Sequence, residues 1–167
     1  ALRGREPATL AHAAAGLAPR IAALRFEQYA FAQQWTALRQ YACAHGVSLF
    51  GDMPIFVAHD SADVWSAREL FLLDAEGHPL TVAGVPPDYF SADGQRWGNP
   101  HYAWDVMARD GFAWWRRRIA SQRERFDLVR IDHFRGFEAC WHIPRESASA
   151  VHGHWEPAPG EALLRAL

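Results

Sequence analysis

Leu128-Val129-Arg130-Ile131-Asp132-His133-Phe134-Arg135-Gly136 is the stretch that decides the fold. Its first five residues predict a strand. Strand side chains alternate, so Arg130 and Asp132 project to one side and Val129 and Ile131 to the other. A helix is predicted just before it, over Ala103–Arg125, where Trp104, Ala108, Gly111, Trp115 and Ile119 share a face; Asp110-Gly111 is a point at which it can split. The same order occurs upstream. Phe31, Trp35, Leu38 and Ala42 mark one face of a helix over Leu24–His45, and Gly46 is its stop. Val47-Ser48-Leu49-Phe50 then reads as a buried strand ending in Gly51-Asp52. Helix and strand in alternation imply βα units, a parallel sheet and the α/β class. In parallel barrels the active site gathers at the C-terminal strand ends, which would place Asp52 and Asp132 on one rim.

The remaining chain fills in around these strands. Residues 1–23 are Ala-rich and read as partly helical, with Pro7 near a helix start and Pro19 as a break. Ser61-Ala62-Asp63 caps a short helix through Arg68. Leu70–Leu73 and Leu80–Ala83 flank a Gly-containing turn, a hairpin pattern. Gly84–Pro100 reads as a long loop mixing Pro, Gly and aromatic residues, and loops of that length in a compact domain are usually functional or disordered. Past Pro144 the pattern is less regular, and Glu161–Leu167 reads as a helix cut short.

Composition narrows the function classes. With 167 residues, 50% hydrophobic and 22% charged, one folded domain is expected. Seventeen basic against 19 acidic residues give a net charge of −2, which argues against a nucleic-acid footprint or a basic membrane surface. No apolar run approaches the roughly 18 residues of a membrane span, and the N-terminal sequence carries no signal-peptide pattern. Cys43 and Cys140 are far apart, predicting neither a disulfide framework nor a zinc site and fitting a reducing, cytoplasmic setting. Aromatic residues reach 13%, which suits either a core of large side chains or faces for stacking sugar rings.

The candidate chemistry lies in polar residues at strand ends and in the long loop. A guanidinium beside a carboxylate favours its ionised form, so Arg130 next to Asp132 suits a glycosidase nucleophile; a structural Arg–Asp pair is the competing reading. Asp52 is either a second rim carboxylate or the start of an Asx turn helped by Pro54. The loop offers sugar-binding groups in Asp88, Tyr89, Phe90, Gln95, Trp97 and Asn99, against the alternative of an Ω-loop packed on itself. His133 can serve as a base or as an orienting group. His152-Gly153-His154 lacks a third ligand for a metal, and Arg116-Arg117-Arg118 reads as a run with a solvated face. Neither a G-x-S-x-G elbow nor a P-loop is present.

Three blocks together resemble the amylomaltases, the 4-α-glucanotransferases of the α-amylase-like superfamily. They are Gly51-Asp52-Met53-Pro54-Ile55-Phe56-Val57 with Ser61-Ala62-Asp63-Val64-Trp65, then Gly84–Ser91 with Gly94–Pro100, and Val129–Gly136. The resemblance covers roughly residues 26–145, with Phe26-Glu27-Gln28 and Gln34-Trp35 fitting the preceding helix. It implies part of a (β/α)₈ TIM barrel with an inserted hairpin/loop subdomain. It also implies Asp132 as nucleophile and Arg130 as the group that holds it ionised. Asp52 and His133 would support the sugar site, and residues 84–100 would be a mobile loop carrying Asp88, Tyr89, Phe90, Gln95, Trp97 and Asn99 over the glucan. The implied substrates are maltooligosaccharides and other α-1,4-glucans, and two carboxylates suffice for the reaction without metal or cofactor. His101, Asp93 and Cys140 depart from residues common at those positions.

The resemblance also sets an expectation about extent. The family's acid/base Glu and its third essential Asp belong to later blocks that would fall beyond Leu167, and a full barrel takes about 250 residues. Residues 1–167 therefore read as a single partial segment of the catalytic barrel, with strand ends near residues 47–52 and 128–132. Such a segment is expected to be nearly inactive alone and, with open sheet edges, prone to aggregate. A non-catalytic glucan-binding module and a sugar hydrolase on the same barrel are the competing functions.

Overall fold

Two helices come first in the computed structural model, which describes residues 2–167: α1 (Pro7–Gly16) and α2 (Ala18–Ala44). The break falls at Leu17 rather than at Pro19, because a proline in the first turn of a helix forfeits no hydrogen bond. The helix expected from Leu24 therefore starts at Ala18. The chain divides into two compact units, Ala1–Gly51 with Arg123–Val129 and Asp52–Gln122 with Arg130–Leu167.

In the first unit α2 is held along the predicted face. Trp35 stacks on Phe31 (ring centroids 5.8 Å) and meets Phe126 edge-on (5.5 Å), and its indole Nε1 donates to the Arg125 carbonyl at 2.9 Å. Arg39 forks onto the Asp127 carboxylate, Nε and Nη2 donating at 3.1 and 2.7 Å. Ala42 on that face is buried, while Phe31 and Leu38 stay about half exposed.

Strand β1 runs Phe50–Pro54, later than the 47–50 expected. Asp127 accounts for the shift: its carboxylate accepts from Leu49 N–H (2.8 Å), while the Leu49 carbonyl accepts from Asp127 and Leu128 N–H (3.0 and 3.2 Å). A carboxylate that captures a backbone amide competes with the sheet ladder there. Gly51-Asp52 consequently lies inside the strand and not at its end. Gly51 and Met53 are buried while Asp52 is exposed, the alternation of a half-covered strand. Strand β4 (Leu128–Asp132) has the predicted bounds and is the hydrogen-bonded neighbour of β1.

The second unit corrects the expectation of a wholly parallel sheet. Its four-stranded sheet has the order β3-β2-β5-β6, antiparallel throughout. The strands are β2 (Thr81–Val85), β3 (Gln95–Pro100), β5 (Ala139–Pro144) and β6 (His154–Pro157). Residues 84–100, expected as a loop, are about half the arms of a hairpin and half its tip: β2 pairs with β3 through Gly84↔Arg96 and Val85↔Gln95, leaving 86–94 as the tip. Val82, Ile143 and Ala150 form a small core under this sheet, with Trp141 packed on it.

Helices complete the unit. Short α3 (Ala62–Ser66) is capped as expected, Ser61 Oγ accepting from Val64 N–H at 3.3 Å. The Asp74–His78 turn closes through an isolated Leu73↔Pro79 bridge rather than a full strand pair. The long helix splits as predicted into α4 (Trp104–Arg109) and α5 (Ala113–Arg125), with Gly111 and Phe112 at positive φ (+65° and +57°). Only glycine takes that conformation without steric cost, so Gly111 permits the break and Phe112 is carried into it by its burial. Helix α6 (Gly160–Ala166) follows β6. Several aromatic residues of this unit are core: Tyr102, Trp114, Trp115, Phe56, Phe71 and Phe137 are buried, in edge-to-face and stacked contacts.

Candidate functional site

The β1–β4 pair brings three of the expected residues together. Arg130 donates through Nε to Asp52 Oδ1 at 2.9 Å and through Nη2 to Asp52 Oδ2 at 2.6 Å, and Nη2 also reaches Asp132 Oδ1 at 3.4 Å. All three side chains are more than half exposed (Asp52 55%, Arg130 56%, Asp132 61%). The hydrogen bonds from Arg130 hold the Asp52 carboxyl below the usual carboxylate range and raise the guanidinium's own pKa. Asp132, on the far side of Arg130, keeps a carboxylate open to solvent at the end of its strand.

His133 turns the chain immediately after Asp132. It sits in the left-handed region (φ +54°), uncommon for a residue with a Cβ and often found at functional sites. Its ring folds back over the following 3₁₀ turn (Phe134–Phe137): a side chain at Gly136 would meet His133 Cδ2 at 3.1 Å and Ile55 Cδ1 at 2.8 Å. Glycine is needed there for close approach. The imidazole meets Trp97 edge-on (4.9 Å), and its buried Nε2 has no hydrogen-bond partner among the described residues. Burial lowers its pKa from the ordinary histidine value.

The hairpin residues divide into two groups. Trp97 lies against His133 and donates Nε1 to Gln95 Oε1 at 2.9 Å, so these two are associated with the turn after Asp132. Asp88, Tyr89 and Phe90 form the tip. Asp88 Oδ1 accepts from Phe90 and Ser91 N–H (2.9 and 2.8 Å), an Asx-type turn that occupies its carboxylate. Tyr89 and Phe90 are 96% and 91% exposed and touch one another edge-on at 5.5 Å. Asn99 is committed elsewhere, its Nδ2 donating to the Val57 carbonyl at 2.9 Å.

Three supporting residues escaped the sequence reading: Phe56, which packs beside both Trp97 and His133, and Tyr102 and Arg118, which hold the backbone past β1. Helical spacing was the available signal for Arg118, since it places that residue on the face of Trp114 and Trp115. A largely apolar groove of about 660 Å³, lined by Phe134, Phe137 and Leu164 among others, contains none of the expected site residues. Among the described residues no group of three or more His, Cys, Asp or Glu side chains is placed to hold a metal ion, and no helix is long and apolar enough to cross a membrane.

Comparison with known proteins places this geometry in context. A family model described as 4-alpha-glucanotransferase matches residues 1–167. The 4-alpha-glucanotransferase of Thermus thermophilus is 55% identical over 166 residues, 99% of this chain and 33% of that protein. That of Aquifex aeolicus is 50% identical over 142 residues, 85% of this chain and 29% of that protein. The amylomaltase from Streptococcus agalactiae, solved in complex with acarbose, superposes with a TM-score of 0.95 at 45% identity, covering 99% of this chain and 33% of the other. The chain thus spans about a third of the length of the relatives it matches.

Proposed function

We propose, for a chain that belongs to the 4-alpha-glucanotransferase family, that it supplies the nucleophile side of a retaining α-1,4-glucan transfer site within a (β/α)₈ barrel. Asp132 is the nucleophile. One of its oxygens bonds to the anomeric carbon of a glucosyl unit as the bond from that carbon to the leaving 4-oxygen breaks. A carboxylic acid from outside residues 1–167 protonates that oxygen, giving a β-glucosyl–enzyme. The 4-hydroxyl of a second maltooligosaccharide then attacks the same carbon, surrenders its proton to that acid's conjugate base and frees Asp132.

The observation that carries this reading is the Asp52–Arg130–Asp132 arrangement. A retaining nucleophile must be ionised, accessible and fixed, and Asp132 lies at a strand end beside a guanidinium that is itself anchored at two points by Asp52. His133 and Trp97 border the glucosyl unit, and Tyr89 and Phe90 offer ring faces on which the glucan stacks. A tip that covers the intermediate and excludes water favours a sugar as acceptor over hydrolysis.

Maltotriose incubated with the full-length enzyme and with residues 1–167, read by chromatography, tests the reading. Glucose together with longer maltooligosaccharides from the full-length enzyme alone supports it. Glucose and maltose without longer products would make the enzyme a hydrolase. Glucan binding without turnover would make it a binding module, and transfer by the short chain would place the acid within these 167 residues. General acid–base help is worth about 10²–10⁴-fold, so the short chain is expected to be nearly inactive.

A further inference from the structure

Arg116-Arg117-Arg118 reads as a solvated run, and Arg116 and Arg117 are exposed, but Arg118 turns inward. Past Pro54 the backbone leaves β1, and side chains take over its carbonyls. Arg118 Nη2 donates to the Pro54 carbonyl at 2.6 Å and Nη1 to the Ile55 carbonyl at 3.0 Å. The Tyr102 hydroxyl donates to the same Ile55 carbonyl at 2.7 Å and accepts from Arg118 Nη1 at 3.2 Å. The guanidinium carbon lies 5.3 and 5.1 Å from the ring centroids of Trp114 and Trp115. A planar fork on two consecutive carbonyls, flanked by indole rings, suits arginine and not lysine.

We propose that Arg118 is a positioning residue for glucan transfer, fixing the Pro54–Ile55 backbone and through it the placement of Asp52 and of the turn that follows Asp132. Asp52 lies on the strand that Pro54 ends. Ile55 packs through Cδ1 against the Gly136 position, and Gly136 N–H donates to the His133 carbonyl at 2.8 Å. One residue on, Phe56 packs beside His133 and Trp97. Arg118 touches neither carboxylate, so it acts through these contacts. The inference rests on the transfer reaction proposed above.

The test compares the full-length enzyme with its Arg118→Met and Arg118→Lys variants. Misplacement of a reacting group by about 1 Å costs roughly 10²-fold, so R118M is expected to lower kcat about ten- to a hundred-fold with KM little changed. Loosening the Asp52–Arg130 pair lets the Asp52 carboxyl rise toward its usual value, so the acid limb of kcat/KM should move to higher pH. R118K, which keeps the charge and a single donor nitrogen, should recover part of kcat. A loss of activity that only follows the folded fraction, with an unchanged pH profile in both variants, would give Arg118 a purely structural role and overturn the proposal, as would an unchanged kcat in R118M. Should R118M not fold, R118K carries the same two readouts. Wild-type enzyme that fails to transfer maltooligosaccharides overturns the proposed function instead, a result visible before any variant is made.

Discussion

Arg130 is bound more tightly to Asp52 than to Asp132: two hydrogen bonds of 2.9 and 2.6 Å go to the first carboxylate and a single contact of 3.4 Å to the second. The guanidinium is therefore oriented by Asp52 and offered to Asp132. A bidentate Arg–carboxylate pair fixes direction as well as charge. Asp52 thus acts as the anchor, and Asp132 keeps the accessible carboxylate that the proposed nucleophile requires.

Replacing each carboxylate should separate these roles. Asp132→Asn in the full-length enzyme removes the carboxylate proposed to attack, and loss of a nucleophile typically costs about 10³-fold or more in kcat. Asp52→Asn leaves Asp132 intact but releases Arg130, with an expected loss of roughly 10²-fold. Both side chains are largely exposed, so neither change should shift thermal unfolding much. Steady-state kinetics on maltotriose with parallel melting curves decide the matter; equal losses in the two variants would contradict the division of labour.

The hairpin tip should matter for substrate and not for folding. Tyr89 and Phe90 contact little besides each other and remain almost fully exposed. Their replacement by Ala is expected to change stability by less than about 0.5 kcal/mol. Loss of the two rings should raise KM for maltooligosaccharides and increase the share of hydrolysis, measured as free glucose released without chain extension. A KM and product ratio like those of the unaltered enzyme would remove the tip from the site.

Strand β4 was legible because its charged residues Arg130 and Asp132 alternate with Val129 and Ile131. Strands β5 and β6 were not. Ala139-Cys140-Trp141-His142-Ile143-Pro144 is covered on both faces for much of its length, so no polar residue marks every second position. His154–Pro157 is only four residues long and exposed throughout. Gly84, Gly98 and Pro100 disguised the hairpin arms as a loop, and the tip between them, residues 86–94, is too long for a tight-turn signal. At the site, alternation alone put Arg130 and Asp132 on one side. That Arg130 favours Asp52 depends on how β1 lies beside β4, which is a tertiary fact.

Tyr102→Phe isolates one hydroxyl of the scaffold behind the site. The phenol is buried, its ionisation pushed far up by that burial, and its O–H donates to the Ile55 carbonyl while the oxygen accepts from Arg118. Removing the hydroxyl keeps the ring contacts with Phe56, Phe71 and Trp115. The cost should be about 1–2 kcal/mol, the usual range for deleting one buried hydrogen-bonding group. Denaturant unfolding of the full-length enzyme measures it, and no loss would mean that Arg118 alone holds that carbonyl.

Acid should attack the second unit through its stacked histidines. His101 and His142 lie ring on ring, with centroids 3.5 Å apart and planes 6° from parallel. Burial, reinforced by its neighbours His142 and His154, pushes His101 down to about 3; the nearby backbone of Val82 and Trp141 offsets only part of this. His142, paired with Thr81 Oγ1 at 2.9 Å, is pushed down by burial to about 4, with Glu156 opposing the shift and His154 adding to it. Both imidazoles are thus neutral in the folded protein at pH values where the unfolded chain protonates them near 6.5. The unfolded state then binds more protons, so stability is complete above about pH 6.5 and falls steadily as the pH drops toward the folded values. For His101 alone the loss by pH 4 is on the order of 3 kcal/mol. His101→Leu, an aliphatic replacement of similar size for a buried ring, removes one proton-binding site and should flatten the curve. Urea unfolding of the full-length enzyme and this variant at pH 7, 5.5 and 4.5 provides the comparison, and parallel losses in the two proteins would rule out His101 as a source of the acid sensitivity.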